Sequence, residues 1–139
     1  MTRLEYWIHA QTQYRVHSPF IFDMYRKVLF ARLDKVVRKE VCSNVTDWRD
    51  RQYHEIVYKL RDHYQLTVES YDNDEAVLAG DPDTFGKVKI IRRPHICHAR
   101  ELRWQAQQDN TKYRVSIDLY DTGLLLNNPK LHPQKFLLK

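Results

Sequence analysis

Apolar residues recur at helical spacing through the first half of the chain and at every second position through much of the rest. Leu4, Trp7, Ile8 and Gln11 predict a short amphipathic helix ending near Tyr14 and serving as a packing arm. Ser18 then stands where a helix cap is wanted, and Pro19 at the first helical position, where its missing N–H costs nothing. Ile21, Met24, Tyr25, Val28, Leu29, Leu33 and Val36 keep the i, i+3, i+4, i+7 rule, so one long helix is expected over 20–40. Asn44 to Thr46 is a polar break. Thr46 is the expected cap of a second long helix with Tyr53, Ile56, Val57, Leu60 and Tyr64 on its inner face.

Beyond that helix the period shortens. The segments 65–70 and 75–79 read as strands around a Tyr71-Asp72-Asn73-Asp74 turn. Asp81-Pro82-Asp83 and Gly86 form a loop into an alternating strand at 87–91, and a helix is expected from about His95 to Gln108. Val115, Ile117 and Leu119 alternate with Arg114, Ser116 and Asp118, the pattern of a strand with one buried face. Asp121-Thr122-Gly123 supplies a turn in which Gly123 is free to take positive φ, and Leu124-Leu125-Leu126 resumes the apolar run. After breaks at Asn127-Asn128-Pro129 and Pro133, Phe136-Leu137-Leu138 forms a last short strand, so the chain is expected to finish as an antiparallel pair. The fold class is a single α/β domain over 1–139. It has two long N-terminal helices, a mixed sheet of about four or five strands and a C-terminal antiparallel hairpin, with 1–45 a helical arm and 46–139 a reduced α/β core.

A chain of 139 residues suits one core. With 42% hydrophobic and 29% charged residues it reads as neither disordered nor membrane-spanning, and no apolar run approaches the ~20 residues that cross a bilayer. MTRLEYWIHAQ lacks the apolar centre of a secretion signal, so a cytoplasmic location is expected and no membrane partner. Cys42 and Cys97 lie far apart in no metal spacing, which points to reduced thiols. The formal charge is +5, but its distribution says more. Between 65 and 85 stand Glu69, Asp72, Asp74, Glu75, Asp81 and Asp83 with no Lys or Arg; between 87 and 103 stand Lys87, Lys89, Arg92, Arg93, Arg100 and Arg103 against Glu101 alone. The favoured reading is that these two faces complement one another within the fold or in a symmetric partner. The six basic residues are also the candidate surface for RNA or another polyanion.

With only Gly80, Gly86 and Gly123 there is no glycine-rich loop for a phosphate or nucleotide, nor is there a Gly-x-Ser-x-Gly elbow or a His-Glu-x-x-His pair. His95, Cys97 and His98, completed by Cys42 or His132, are the one compact group of candidate metal ligands. Such sites usually show paired motifs at both ends, so histidines and a small buried thiol at a helix start are favoured. Asp118 and Asp121 flank a strand end, where catalytic carboxylates often sit and where Asx turns are commoner. His17, just before a cap, is read as fixing the turn by hydrogen bonding. Trp7, Trp48, Trp104 and nine tyrosines make the chain aromatic-rich, and Tyr113 beside Arg114 has the makings of a base-stacking pair, though core and rim are the usual use.

At two separated places the chain resembles a bacterial family of class I S-adenosylmethionine-dependent methyltransferases. YRVHSPFIFDMYRKVL (14–29) is similar to that family's opening motif, in which a His-Ser-Pro-Phe turn begins the first long helix. KVKIIRRPHICHARELRWQAQ (87–107) resembles its fifth strand and following helix, and SIDLYDTGLLL with QKFLLK its sixth and seventh strands. The family's first four strands, its acidic-glycine cofactor loop and its ribose-binding acid have no counterpart here. Where it carries paired Asp after the fifth strand, this chain has Pro94 and His95. The resemblance therefore implies a shortened, partly Rossmann-like relative with no catalytic, cofactor-binding or metal residue carried over and no cofactor. The function expected from it is a non-catalytic scaffold or binding partner, with a protein partner or a second copy. The alternatives are a small RNA-binding or polyanion-binding module, and an active methyltransferase completed by another chain.

Overall fold

The computed structural model describes residues 1–11, 16 and 18–139. Among these residues, five α-helices flank an open mixed sheet of six strands. The strands are β1 (Thr67–Tyr71), β2 (Glu75–Ala79), β3 (Lys87–Arg92), β4 (Val115–Asp118), β5 (Thr122–Leu126) and β6 (Gln134–Leu137), in the order β1-β2-β3-β5-β4-β6. All neighbours are antiparallel except β4 and β6. The expected antiparallel finish is therefore corrected. The antiparallel hairpin is β4–β5, and the last strand returns to lie parallel to β4, with Ile117 opposite Phe136.

Cross-strand register builds the core as a line of apolar side chains. Ala76 faces Ile90, Ile90 faces Leu124, Leu124 faces Ile117 and Ile117 faces Phe136, all of them buried. Against this face pack α2 (Pro19–Met24), the π turn Tyr25–Leu29 and α4 (Arg51–Tyr64), through Ile21, Met24, Val28, Tyr53, Ile56 and Leu60. On the opposite face α5 (His98–Gln108) sets Trp104 against Ile91 and Leu125. Central strands covered on both faces need no alternation. That is why β5 reads Leu124-Leu125-Leu126.

The long helix expected over 20–40 is two helices. Ser18 caps α2 as its sequence implies, accepting from the Ile21 N–H at 3.4 Å, and Pro19 opens it. The ladder then widens to a π turn, with the Phe30 N–H on the Tyr25 carbonyl, and helix α3 (Lys35–Val41) starts afresh where Asp34 accepts from the Val36 N–H at 2.8 Å. An Asp at a cap offers the backbone a way out of a continuous helix. The apolar spacing through Leu33 and Val36 concealed it, and Val36 is exposed. Likewise Asp47, not Thr46, opens the second helical stretch. It caps a 3₁₀ turn, Trp48–Asp50, that runs into α4. The helix expected from His95 begins only at His98.

Helix α1 (Arg3–His9) carries a Thr2–Glu5 capping box, but it turns Tyr6 inward and leaves Leu4, Trp7 and Ile8 exposed. Tyr6 decides the face because its hydroxyl donates to the Leu138 carbonyl beside β6. Gly123 also has a different purpose from the one expected. It lies inside β5, and a Cβ there would stand 2.6 Å from Trp104 Cη2. The positive-φ glycine is Gly86, at φ 74°. No helix among the described residues is long and apolar enough to cross a membrane.

Candidate functional site

Strands β3 and β4 are both antiparallel to β5, so they run the same way and end at the same edge of the sheet. At that edge two non-glycine residues take left-handed backbone: Arg93 after β3, at φ 47°, and Tyr120 after β4, at φ 70°. The two loops are tied together where the Arg93 N–H donates to the Asp121 carbonyl at 2.8 Å. Both residues line a cavity of about 330 Å³. His95, Ile96 and Asp121 from the same loops line it too, and the rest of its wall comes from distant parts of the chain: Arg3 on α1, and Trp48 and Arg49 in the 3₁₀ turn.

Aromatic and guanidinium planes organise this cavity. The Arg3 guanidinium lies over the Tyr120 ring at 4.5 Å and the Trp48 ring at 5.4 Å, and its Nη2 donates to Asp121 Oδ1 at 2.8 Å. Cation–π contact of this kind fixes an arginine without using all its N–H groups. Arg49 grips Asp47 with two bonds, Nη2 to Oδ2 at 2.7 Å and Nε to Oδ1 at 3.1 Å, which hold the Asp47 carboxyl down at about 2. Arg93, 13% exposed, donates to Asp47 Oδ2 at 3.3 Å.

Beneath the cavity is a buried ionisable cluster. His95 stacks on Tyr120 with ring centroids 5.2 Å apart. Its Nε2 meets Asp118 Oδ2 at 2.6 Å and its Nδ1 meets Glu101 Oε2 at 3.0 Å. Trp104 Nε1–H donates to Asp118 Oδ2 at 3.1 Å, and the Tyr120 N–H to Asp118 Oδ1 at 2.8 Å. Burial opposes charge on His95, but hydrogen bonds and charge from Asp118 and then Glu101 outweigh it and raise its pKa. For Glu101 burial pushes the other way, yet its bonds to the amino terminus and to His95 lower its pKa. Both imidazole nitrogens and both Asp118 oxygens are thus engaged inside the protein. These bonds tie the residues after β3 and the Tyr120 loop to β4, and His95, Glu101, Trp104 and Asp118 also line a second cavity of about 340 Å³.

The candidates named from sequence are dispersed. Lys87 pairs with Glu69, Lys89 with Glu75, Arg92 with Asp50 and Asp74, Arg93 with Asp47, and Arg100 with Asp74. Arg103 lines a small pocket with Asp74 and Glu75. Of the metal candidates, His95 turns to carboxylates, while His98, His132 and Cys97 are exposed. Cys97 is thus not the buried thiol expected there, because it precedes α5 on the solvent side. Cys42 ends α3, and burial raises its thiol pKa. Among the described residues no group of three or more His, Cys, Asp or Glu is placed to hold a metal. Asp118 makes the expected Asx turn and also anchors His95 and Trp104, and Asp121 holds Arg3. Tyr113 packs beside Trp104 and Leu125. His17 lies outside the described residues. What sequence reasoning missed is the convergence of Arg3, Trp48, Arg49 and Arg93, which no local pattern signals.

Comparison with protein-family models, curated proteins and solved structures finds no match.

Proposed function

We propose that this chain is a methyltransferase-like protein that binds a ligand without catalysing a reaction, and that its ligand site is the cavity where β3 and β4 end. The observation that carries this reading is the pair of left-handed residues, Arg93 and Tyr120, facing one cavity. Each such conformation costs ~1–3 kcal/mol in a residue bearing Cβ, and strain of that kind gathers at ligand clamps. The cavity lies where loops after β3 and β4 converge, and loops set on a rigid scaffold are the usual carriers of binding residues. That the chain binds without catalysing rests on the sequence, which with only Gly80, Gly86 and Gly123 offers no glycine-rich cofactor loop.

The methyltransferase likeness rests on the sequence of two segments, which form the Ser18-Pro19 helix start and the run β3, α5, β4, β5. A two-dimensional amide NMR titration with S-adenosylhomocysteine tests the loss of cofactor binding. Dispersed peaks that stay still are expected, and saturable, clustered shifts would restore an enzyme. The outward face of α1, with Leu4, Trp7 and Ile8 exposed, is where a protein partner or second copy would dock in the scaffold form of this reading. Sedimentation showing only monomer at high micromolar concentration would count against the second copy. A polyanion surface on Lys87, Lys89, Arg92, Arg93, Arg100 and Arg103 has less support, because those cations do not converge: Arg93 lines the cavity, Arg100 and Arg103 line a separate small pocket, and Lys87 and Lys89 pair with Glu69 and Glu75 on the sheet. Salt-sensitive binding to mixed RNA would revive it.

A further inference from the structure

We infer that the cavity between Arg3, Arg49 and Arg93 recognises a small organic oxyanion, a phosphate or carboxylate group presented to three guanidiniums at once. This rests on the reading of the cavity as the ligand site and adds the chemistry of what enters it. Three guanidiniums face Asp47 and Asp121 there, and Arg93 also lies 3.8 Å from Asp50; Asp50 pairs in turn with Arg92, so four guanidiniums meet three carboxylates and one positive charge is in excess. Those ion pairs use one N–H of Arg3, one of Arg93 and two of Arg49, out of five on each guanidinium. The carboxylates thus orient the arginines without exhausting them.

Preorganisation separates this cavity from an ordinary basic surface. Arg93 is held by its backbone N–H on the Asp121 carbonyl and by its side chain on Asp47, and Arg3 by the Tyr120 and Trp48 rings. Arginines whose planes are already fixed lose less freedom when they close on an oxyanion, and their forked donors match its oxygens. Trp48, 60% exposed at the rim, offers an apolar wall to the organic part of the same ligand. A second basic pocket, formed by Lys35, Arg38, Lys39 and Arg51 around Cys42, lies on α3 and the start of α4. Among the described residues, the restraint on its long side chains is the Arg38–Glu55 bridge. It is the internal competitor for any anion.

The experiment is an amide and indole NMR titration of the full chain at low ionic strength with pyrophosphate, with citrate, and with neutral and cationic fragments of similar size. Saturable shifts at Arg93, Ile96, Tyr120, Asp121 and the Trp48 indole with pyrophosphate or citrate are expected, and whichever anion binds more tightly separates phosphate from carboxylate recognition. Arg49→Gln should weaken that binding about tenfold or more, as for loss of a hydrogen bond to a charged group. Lys112→Gln, away from the cavity, should leave it unchanged. Shifts with neutral or cationic fragments alone would keep the site and overturn the oxyanion. Anion shifts confined to Lys35, Lys39 and Arg51 would overturn the assignment to this cavity, and an absence of shifts from every probe at ~10 mM would overturn both.

Discussion

Replacing Gly123 by alanine tests the packing that holds the site's floor. A Cβ there would meet Trp104 Cη2 at 2.6 Å, Cζ3 at 2.7 Å and Cζ2 at 3.0 Å, all atoms of the six-membered ring. Trp104 is 1% exposed, lies against Ile91 and Leu125, and is pinned by its N–H on Asp118, so the ring has little room to retreat. Overpacking of this kind costs ~1–3 kcal/mol, and at this chain length each kcal/mol lowers Tm by roughly 3–5 °C. Trp104→Phe removes the outer ring atoms that clash. In that background Gly123→Ala should be neutral or stabilising by about 0.5–1 kcal/mol, because β5 loses a flexible glycine whose φ is not left-handed. Urea unfolding of the wild type, both single variants and the double variant closes the cycle, with an expected coupling of ~1–3 kcal/mol. An equal cost of Gly123→Ala in both backgrounds would refute the close approach to Trp104.

Arg93→Gly should be more stable than Arg93→Ala by about 1 kcal/mol in urea unfolding, since both lose the Asp47 bond but glycine alone accepts φ 47° without strain. His95, whose pKa is raised above its ordinary 6.5, contributes stability that is complete below 6.5 and lost as pH rises through its folded value. Glu101, lowered from 4.5, contributes stability present above 4.5 and lost as pH falls through its folded value. The cluster should therefore stabilise most between about 4.5 and 6.5, and His95→Asn should flatten the decline on the alkaline side in a pH series of unfolding curves. His54, lowered by burial, acts in the opposite sense below 6.5, so the comparison is made against wild type at each pH. Asp34→Ala should cost ~1 kcal/mol by uncapping α3, seen as a loss of helical circular dichroism and of urea midpoint.

Where local pattern and tertiary packing agreed, the fold was legible in the sequence. The inner face of α4 and the alternation of β3 fall where their spacing puts them, as Tyr53, Ile56, Val57 and Leu60, and as Val88 and Ile90. Spacing misled where one polar contact outweighed it: Tyr6 reaching the Leu138 carbonyl turned α1 over, and the Asp34 cap divided the long helix. Strand direction was hidden because a short terminal strand such as Gln134–Leu137 shows its buried positions and not its neighbour. The candidate site was hidden for a related reason. Its arginines come from a capped arm, a 3₁₀ turn and a strand end, and the sheet's topology alone brings them together.

The uneven charge of the sequence follows from strand pairing. β2 lies beside β3 with Glu75 opposite Ile91 and Val77 opposite Lys89, which sets Glu75 and Lys89 one diagonal apart and within 3.3 Å. Beyond that hairpin, Glu69 on β1 reaches Lys87 on β3, and Asp74 in the turn before β2 reaches Arg92 on β3 and Arg100 on α5. Lys87, Lys89, Arg92 and Arg100 are therefore met by acids across β1, β2, β3 and α5, while other basic side chains outnumber the acids around them. Two clusters carry such an excess: the α3 pocket of Lys35, Arg38, Lys39 and Arg51, and the guanidinium-lined cavity. Only the second is framed by two left-handed residues and aromatic planes. Charge alone would favour either cluster for an anion, and it is this rigidity that selects the cavity at the ends of β3 and β4.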